Sequence, residues 1–318
     1  MSTPPTTVVG RLVAALGALR EHPRAAALLG ATCIAFSGIF YRWAAVSPST
    51  GTVFRALFGL PILGAVAVYE VRRHGRMPRR TVGLAVVAGA FFAGDLTFWH
   101  HAVDAVGAGL ATVLGNLQVL IVGFIAWIAF RERPSRTVLL ALPVVLIGVV
   151  LISGAVGGRP FGADPTLGVV LGLATALCYS GYLLLIRLGG SDLRRPAGPV
   201  AIATLSTAIV GAAAGALLTH DLDSTPSIAS LGWLAVLGVT SQSLGYLLIS
   251  LSLPRLPAIL TSTILLAQPV MTVGLSMVLL GEAPSIAQLA GVALVIGGIA
   301  IATVPFERVR ASLRSAPA

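Results

Sequence analysis

The chain has 318 residues, of which 56% are hydrophobic and only 10% charged, with a formal net charge of +10. A soluble domain carries about 25% charged residues, so this composition excludes a chain that covers its own surface with polar groups and calls for lipid instead. The positive charge is not a nucleic-acid signature, because all the basic residues are arginine and they cluster in the breaks between apolar runs.

In chain order, residues 1–24 hold a short apolar stretch, Leu12–Leu19, followed at once by Arg20, Glu21 and Arg24. This reads as a cytoplasmic interfacial helix rather than a cleaved leader. Ten apolar runs follow, at 25–46, 50–70, 81–103, 106–130, 136–154, 165–187, 198–219, 228–251, 256–280 and 285–305. Each approaches the roughly 20 residues that cross hydrocarbon as a helix, and hydrocarbon offers no partner to an open strand edge. With the N-terminus placed in the cytoplasm, every alternate loop is arginine-rich, and only Arg42, Arg55 and Arg159 fall on the outer side. That is a positive-inside pattern, and it predicts ten spans with both ends inside. A short basic tail, 306–318, closes the chain. Cys33 and Cys178 fall inside predicted helices and read as buried free thiols, with no metal spacing around them.

The sequence repeats itself. "ATCIAFSGIF" (31–40) and "ATALCYSGYL" (174–183) match at an offset of 143. "LQVLIVGFIAWIAFRERPS" (117–135) and "AQPVMTVGLSMVLLGEAPS" (267–285) match at 150, pairing Gln118 with Gln268, Glu132 with Glu282 and Pro134 with Pro284. The added residues are expected around Gly189–Pro199. Five spans per unit is an odd number, so the second copy enters the membrane from the opposite side. Glu132 lies in an arginine-rich turn and Glu282 in a turn without arginine, as that inversion requires. The expected fold is an all-α integral membrane protein of ten transmembrane helices in two inverted five-helix repeats, 25–155 and 156–305. Inverted repeats place a site near the midplane at their interface.

Candidate functional residues follow from polarity inside these spans. Ser37 and Ser180 belong to the repeated Ser-Gly pairs, which suit close helix approach; the neighbouring Tyr179 is a cavity candidate. Arg42 reads as a side chain reaching the outer headgroups. Arg55 sits about 8 Å below the outer surface at 1.5 Å per residue. Asp95 is the sharpest feature, since a carboxylate at such depth costs about 3 kcal/mol unless it faces a cavity or a partner. It shares a helix face with Phe92 and Trp99, and either pairs with Arg55 or serves as a substrate counter-ion or proton carrier. His100, His101 and Asp104 are expected at the outer interface. Thr112 and Asn116 share a face of the fourth span, with Gln118 about 200° from Asn116 on a regular helix. Gln242 and Tyr246 are expected at the same interface from the second half. Glu132 and Glu282 read as helix-end residues before gating ones.

The Glu-x-Pro turn after the fourth span of each half, Pro269 ahead of Glu282, the small-residue helices with Gly148, Gly291 and Gly298, and "GDLTFWHHAV…ATVLGN" together resemble the drug/metabolite transporter superfamily, in particular its EamA-type ten-helix members. The resemblance covers about 25–305. It implies a secondary transporter of a small organic metabolite, by efflux or exchange, in a bacterial cytoplasmic membrane. Lipid is the surrounding partner, protons a candidate coupling ion, and the assembly a monomer or homodimer, with neither nucleic acid nor cofactor. It also implies a gate or anchor role for the Arg55 position. The first half has Val119 where the second has Pro269, which predicts a straighter fourth span than ninth. A non-transporting membrane partner or a membrane enzyme are the alternatives; "HHAVD" is one residue short of an acyl-transfer motif.

Overall fold

The computed structural model describes residues 21–130, 136–156, 159–189, 195–252, 255–256 and 258–303. The expected interfacial helix up to residue 20, the Glu132 turn and the basic tail lie outside these. The described residues are helical, with no strand among them. The helices are α1 (Pro23–Ala35), α2 (Ser37–Ala44), α3 (Pro48–His74), α4 (Arg79–Val106), α5 (Ala108–Gly115), α6 (Gln118–Phe130) and α7 (Arg136–Ile152) in the first half. The second half holds α8 (Pro165–Gly189), α9 (Ala197–Ala214), α10 (Ile228–Leu237), α11 (Tyr246–Ser252), α12 (Ala258–Leu279) and α13 (Ile286–Thr303). Among the described residues seven rods, Pro23–Ala44 the first of them, are long and apolar enough to cross a membrane, and Ala108–Val122, Thr137–Ile152 and Ile264–Leu279 are shorter apolar helices.

The bundle is small inside and large outside. Leu139, Leu140 and Ile147 of α7 and Val170, Leu173 and Leu177 of α8 are exposed, while Ala31, Ala88, Ala102 and Ala108 are buried. Lipid accepts the large apolar groups as well as a core would, so helix association here relies on close approach and on hydrogen bonds between helices. Both are present. Thr207 Oγ1 donates to Gly89 O at 2.9 Å, Ser206 Oγ to Val86 O at 2.8 Å, Ser243 Oγ to Gly59 O at 2.8 Å and Thr272 Oγ1 to Ala35 O at 3.1 Å.

The two halves pack reciprocally. Helix α4 lies on α8 and α9, and the matching rod α10–α11 lies on α1–α2 and α3. Matched helices meet antiparallel. A Cβ on Gly148 would come 2.9 Å from Val295, and one on Gly298 would meet Val145; adding 150 to 145 and 148 gives 295 and 298. The α3–α9 pair is clamped at both ends by carboxylates. Glu70 accepts from the amides of Ala197 (3.0 Å) and Gly198 (2.9 Å), and Asp221 accepts from the amide of Ser49 (3.2 Å). Helix N-termini carry unpaired N–H groups and partial positive charge, which these anions satisfy.

The insertion expected around Gly189–Pro199 falls largely on residues 190–194, which lie outside the described residues. The fourth span differs from expectation. It is not the straighter of its pair: it breaks between α5 and α6 at Asn116–Leu117, whereas α12 runs unbroken through Pro269. Asn116 sits at the break. Its side-chain Nδ2 donates to Thr112 O at 2.8 Å, and Leu117 N turns to Leu114 O, three residues back. The Thr112 carbonyl accepts from both the backbone and the side chain of Asn116, a local bond of the kind asparagine forms where helices become irregular, and the break occurs without a proline. The first rod also breaks, at Phe36, after Thr32 Oγ1 bonds back to Leu28 O at 2.8 Å.

Candidate functional site

The breaks converge on one cavity of about 520 Å³, mouth included. Ile34 and Ser37 reach it from either side of the Phe36 break, and Gly115, Asn116 and Gln118 from the α5–α6 break. Arg55 comes from α3, Asp95, Leu96 and Trp99 from α4, Thr112 from α5, Thr175 and Tyr179 from α8, Tyr246 from α11 and Gln268 from α12. Neither α7 nor α13 contributes. A third irregularity, the π-helical stretch Gly238–Gly245, precedes Tyr246 and carries the buried Gln242. Widened turns of this kind recur at functional positions.

Charge in the cavity is opposed but not joined. Asp95 is 6% exposed and Arg55 2%. No ion pair links them; the Arg42–Asp104 contact at 3.3 Å is the ion pair among the described residues. Arg55 Nε donates instead to Gln242 Oε1 at 3.0 Å, and its guanidinium lies 5.9 Å from the Trp99 ring centre. That distance is at the edge of a cation–π contact. Gln242 is fixed in turn by donating to Thr204 Oγ1 at 3.1 Å. The Asp95 carboxylate receives no hydrogen bond from the described residues, although Thr175 Oγ1 reaches Asp95's backbone oxygen at 3.5 Å. A buried carboxylate left open on a cavity that also holds a buried guanidinium offers one contact to a cation and one to an anion.

Three of the candidates from sequence stand behind the wall. Phe92 is 1% exposed and stacks on Tyr182, ring centres 4.5 Å apart, with Tyr246 at 5.3 Å, so it backs the lining. Gln242 orients Arg55 from outside the cavity. Ser180 is spent on the Ala176 carbonyl at 2.7 Å and the Gln118 carbonyl at 3.3 Å. Gln118 and Gln268 were legible as a repeated pair but not as lining. A regular helix turns Gln118 away from Asn116, and the break brings both to the cavity. The acid has no copy in the second half because Gly245, at the position matching Asp95, packs on α1: a Cβ there would come 2.7 Å from Ile34.

Outside the cavity the expectations are partly revised. Arg42 does not reach for headgroups alone but pairs with Asp104, which also accepts from Tyr41 at 3.0 Å. His100 is not interfacial: it is fully buried, its Nδ1 is 2.9 Å from Thr52 Oγ1, its ring lies 4.2 Å from that of Tyr41, and its Nε2 has no partner among the described residues. Both cysteines are free and half-buried, and no group of metal-ligating side chains occurs among the described residues.

A helical bundle with polar groups gathered at a cavity between two similar halves, and with lipid-facing apolar surface, is the form of a membrane transporter. The EamA-like transporter family model matches residues 25–154 and 166–304; the chain belongs to that family, and is a multi-pass membrane protein of the drug/metabolite transporter type. It is 30% identical over 252 residues to an uncharacterized Pseudomonas aeruginosa protein, covering 78% of this chain and 82% of that one. It is 25% identical to an Archaeoglobus fulgidus protein described as an uncharacterized transporter, over 89% of this chain and 96% of that one. A crystal structure superposes with a TM-score of 0.58 at 23% identity, covering 88% of this chain and 98% of the other, which shows a shared fold.

Proposed function

We propose that the chain is a secondary carrier that moves a small organic metabolite out of the cell by alternating access, and that Asp95 is its charged contact or coupling site. The topology proposed is ten spans in two inverted repeats with both termini cytoplasmic. The arginine distribution and the antiparallel pairing of matched helices support it. The observation that carries the function is the open, buried Asp95 carboxylate between the halves, across from Arg55. Trp99 and Tyr179 offer aromatic surface beside these charges, and Ser37, Thr112, Asn116 and Tyr246 offer polar contacts. The solute class this suits carries a cationic nitrogen and room for a second, anionic or polar, group: an amine, amino acid or drug-like cation. The halves also differ in conformation: the rods broken at Phe36 and Asn116 have continuous counterparts in α8 and α12. In carriers built from inverted repeats, alternating access comes from the halves exchanging such shapes.

The test is to compare metabolites in the medium and in cells expressing the wild type or Asp95→Asn at equal membrane levels, followed by flux in proteoliposomes with and without a pH gradient. A solute exported only by the wild type, with coupled flux lost in Asp95→Asn, is the expected result. Unchanged transport by Asp95→Asn would make Asp95 structural. No flux of any solute in liposomes would return the chain to a partner or sensor role.

A further inference from the structure

At the arginine-poor end of the bundle, one carboxylate holds the cavity's wall in place. Glu282 follows α12 through Gly281, whose φ is +67°, and its amide bonds to Ser276 O at 3.2 Å. It is 7% exposed. Its Oε1 accepts from the amide of Ala108 at 2.6 Å and its Oε2 from the amide of Gly109 at 3.1 Å. These are the first two residues of α5, the short helix whose other end supplies Thr112, Gly115 and Asn116 to the cavity. Helix α5 is detached from its neighbours in sequence at both ends: Gly107, at φ +89°, separates it from α4, and the Asn116–Leu117 turn separates it from α6.

The segment around α5 closes the bundle at this end. A Cβ on Gly38 would come 2.7 Å from Ala108, so α2 and α5 touch with no room between them. Asp164 N donates to Ala105 O at 3.0 Å, drawing the start of α8 onto the end of α4. Gln288, in the same turn region as Glu282, accepts from Phe161 N at 2.8 Å and donates to Phe161 O at 3.0 Å. The α12–α13 turn therefore grips both the α5 start and the 161–164 segment. Of these contacts, the Glu282 pair is the one made by a charge directly to the element that lines the cavity.

We infer that Glu282 is the latch of the arginine-poor gate: its carboxylate holds the α5 N-terminus against the second half, and release of that two-pronged bond lets α5 swing and opens the cavity to that face. The inference rests on the carrier reading for its purpose, but not for its test. A carboxylate reaching two helix-start amides across the two halves forms a charge-assisted contact that is strong when made. A hinge glycine at Gly107 supplies the backbone freedom the swing needs.

The experiment uses the full chain with Cys33→Ser and Cys178→Ser, and Thr112→Cys as a reporter on the cavity wall. Right-side-out and inverted membrane vesicles are labelled with a membrane-impermeant maleimide, so that the face is read directly. Glu282→Gln keeps one acceptor and loses the charge, and it is expected to raise labelling from the arginine-poor face by about tenfold, the effect of one charge-assisted bond. Ala108→Pro attacks the same contact from its other partner. It removes a donor N–H at a first helical position, where proline is otherwise accepted, and it should act in the same direction. Glu132→Gln, the same change in the matching turn of the first half, is the control and should leave labelling from that face unchanged. Equal labelling in wild type, Glu282→Gln and Ala108→Pro, each inserted normally, overturns the latch. So does an equal rise in Glu132→Gln. Labelling reports access whether or not a solute is moved, so loss of the latch leaves the Asp95 flux test standing, and the reverse holds too.

Discussion

Replacing Gln242 by leucine tests how Arg55 is held. Arg55 is buried on all but 2% of its surface, and Gln242 on all of it. The 3.0 Å bond from Arg55 Nε to Gln242 Oε1 joins α3 of the first half to the π-helical stretch of the second. Gln242→Leu fills a similar volume but removes that acceptor, leaving a buried guanidinium N–H and the Thr204 hydroxyl without their partner. A hydrogen bond to a charged group contributes about 1.5–3 kcal/mol, and orphaning its buried partner costs a similar amount. At about 2–4 °C per kcal/mol, the value for domains of about 150–250 residues, the loss of about 1.5–3 kcal/mol should lower the apparent melting temperature by about 3–12 °C. Detergent-solubilised protein, heated and followed by fluorescence-detected chromatography, gives that number. Arg55→Met in the Gln242→Leu background removes the orphaned charge and should restore most of the loss, because the cost lies in the unpaired cation rather than in the missing amide. If Gln242→Leu melts with the wild type, Arg55 is solvated from the cavity and Gln242 is not its anchor. If the double variant melts lower than the single, the guanidinium itself stabilises the bundle.

Two further outcomes are expected. A Cβ on Gly148 would come 2.7 Å from the Gly291 carbonyl, a backbone atom that cannot turn aside, whereas Gly297 has open space around it. Gly148→Ala should therefore lower the melting temperature through about 1–3 kcal/mol of overpacking, while Gly297→Ala should raise it slightly through better helix propensity; equal melting of the two would refute the close α7–α13 crossing. Asp221 lies in the connection after α9. Burial pushes its carboxyl up, but hydrogen bonds from Ser49 and Thr219 outweigh burial and leave it below the ordinary carboxylate value. A depressed folded-state value means stability that is present above the ordinary range near 3.9 and lost as the pH falls through the lower, folded value. Acid titration of melting should thus show a drop below about pH 4 that is absent in Asp221→Asn, and identical acid limbs would refute the clamp.

Much of the architecture was legible in the sequence, for a simple reason. Apolar runs must be helical in lipid, and a repeated Glu-x-Pro turn and Ser-Gly pair mark a duplication wherever they fall. The cavity was legible only in part. Asp95, Trp99, Thr112 and Asn116 announced themselves because polar or aromatic groups at regular helical spacing predict a face. Gln118 did not, since its place in the lining depends on a helix that stops being regular at Asn116. The proline rule pointed to the wrong rod. Pro269 is accommodated within α12, while its counterpart breaks at Asn116 with no proline nearby.

The sequence by itself determined that this is a lipid-covered helical bundle built from two related repeats, because hydropathy and repeat offset are properties of the chain's order. The tertiary structure decided which polar groups meet. Arg55 turns to Gln242 rather than Asp95, Phe92 and Ser180 stand behind the wall, and Glu282 reaches across to the start of α5. Those choices depend on where helices break and how closely their glycines let them approach, and both are settled by partners 100 or more residues away in the chain.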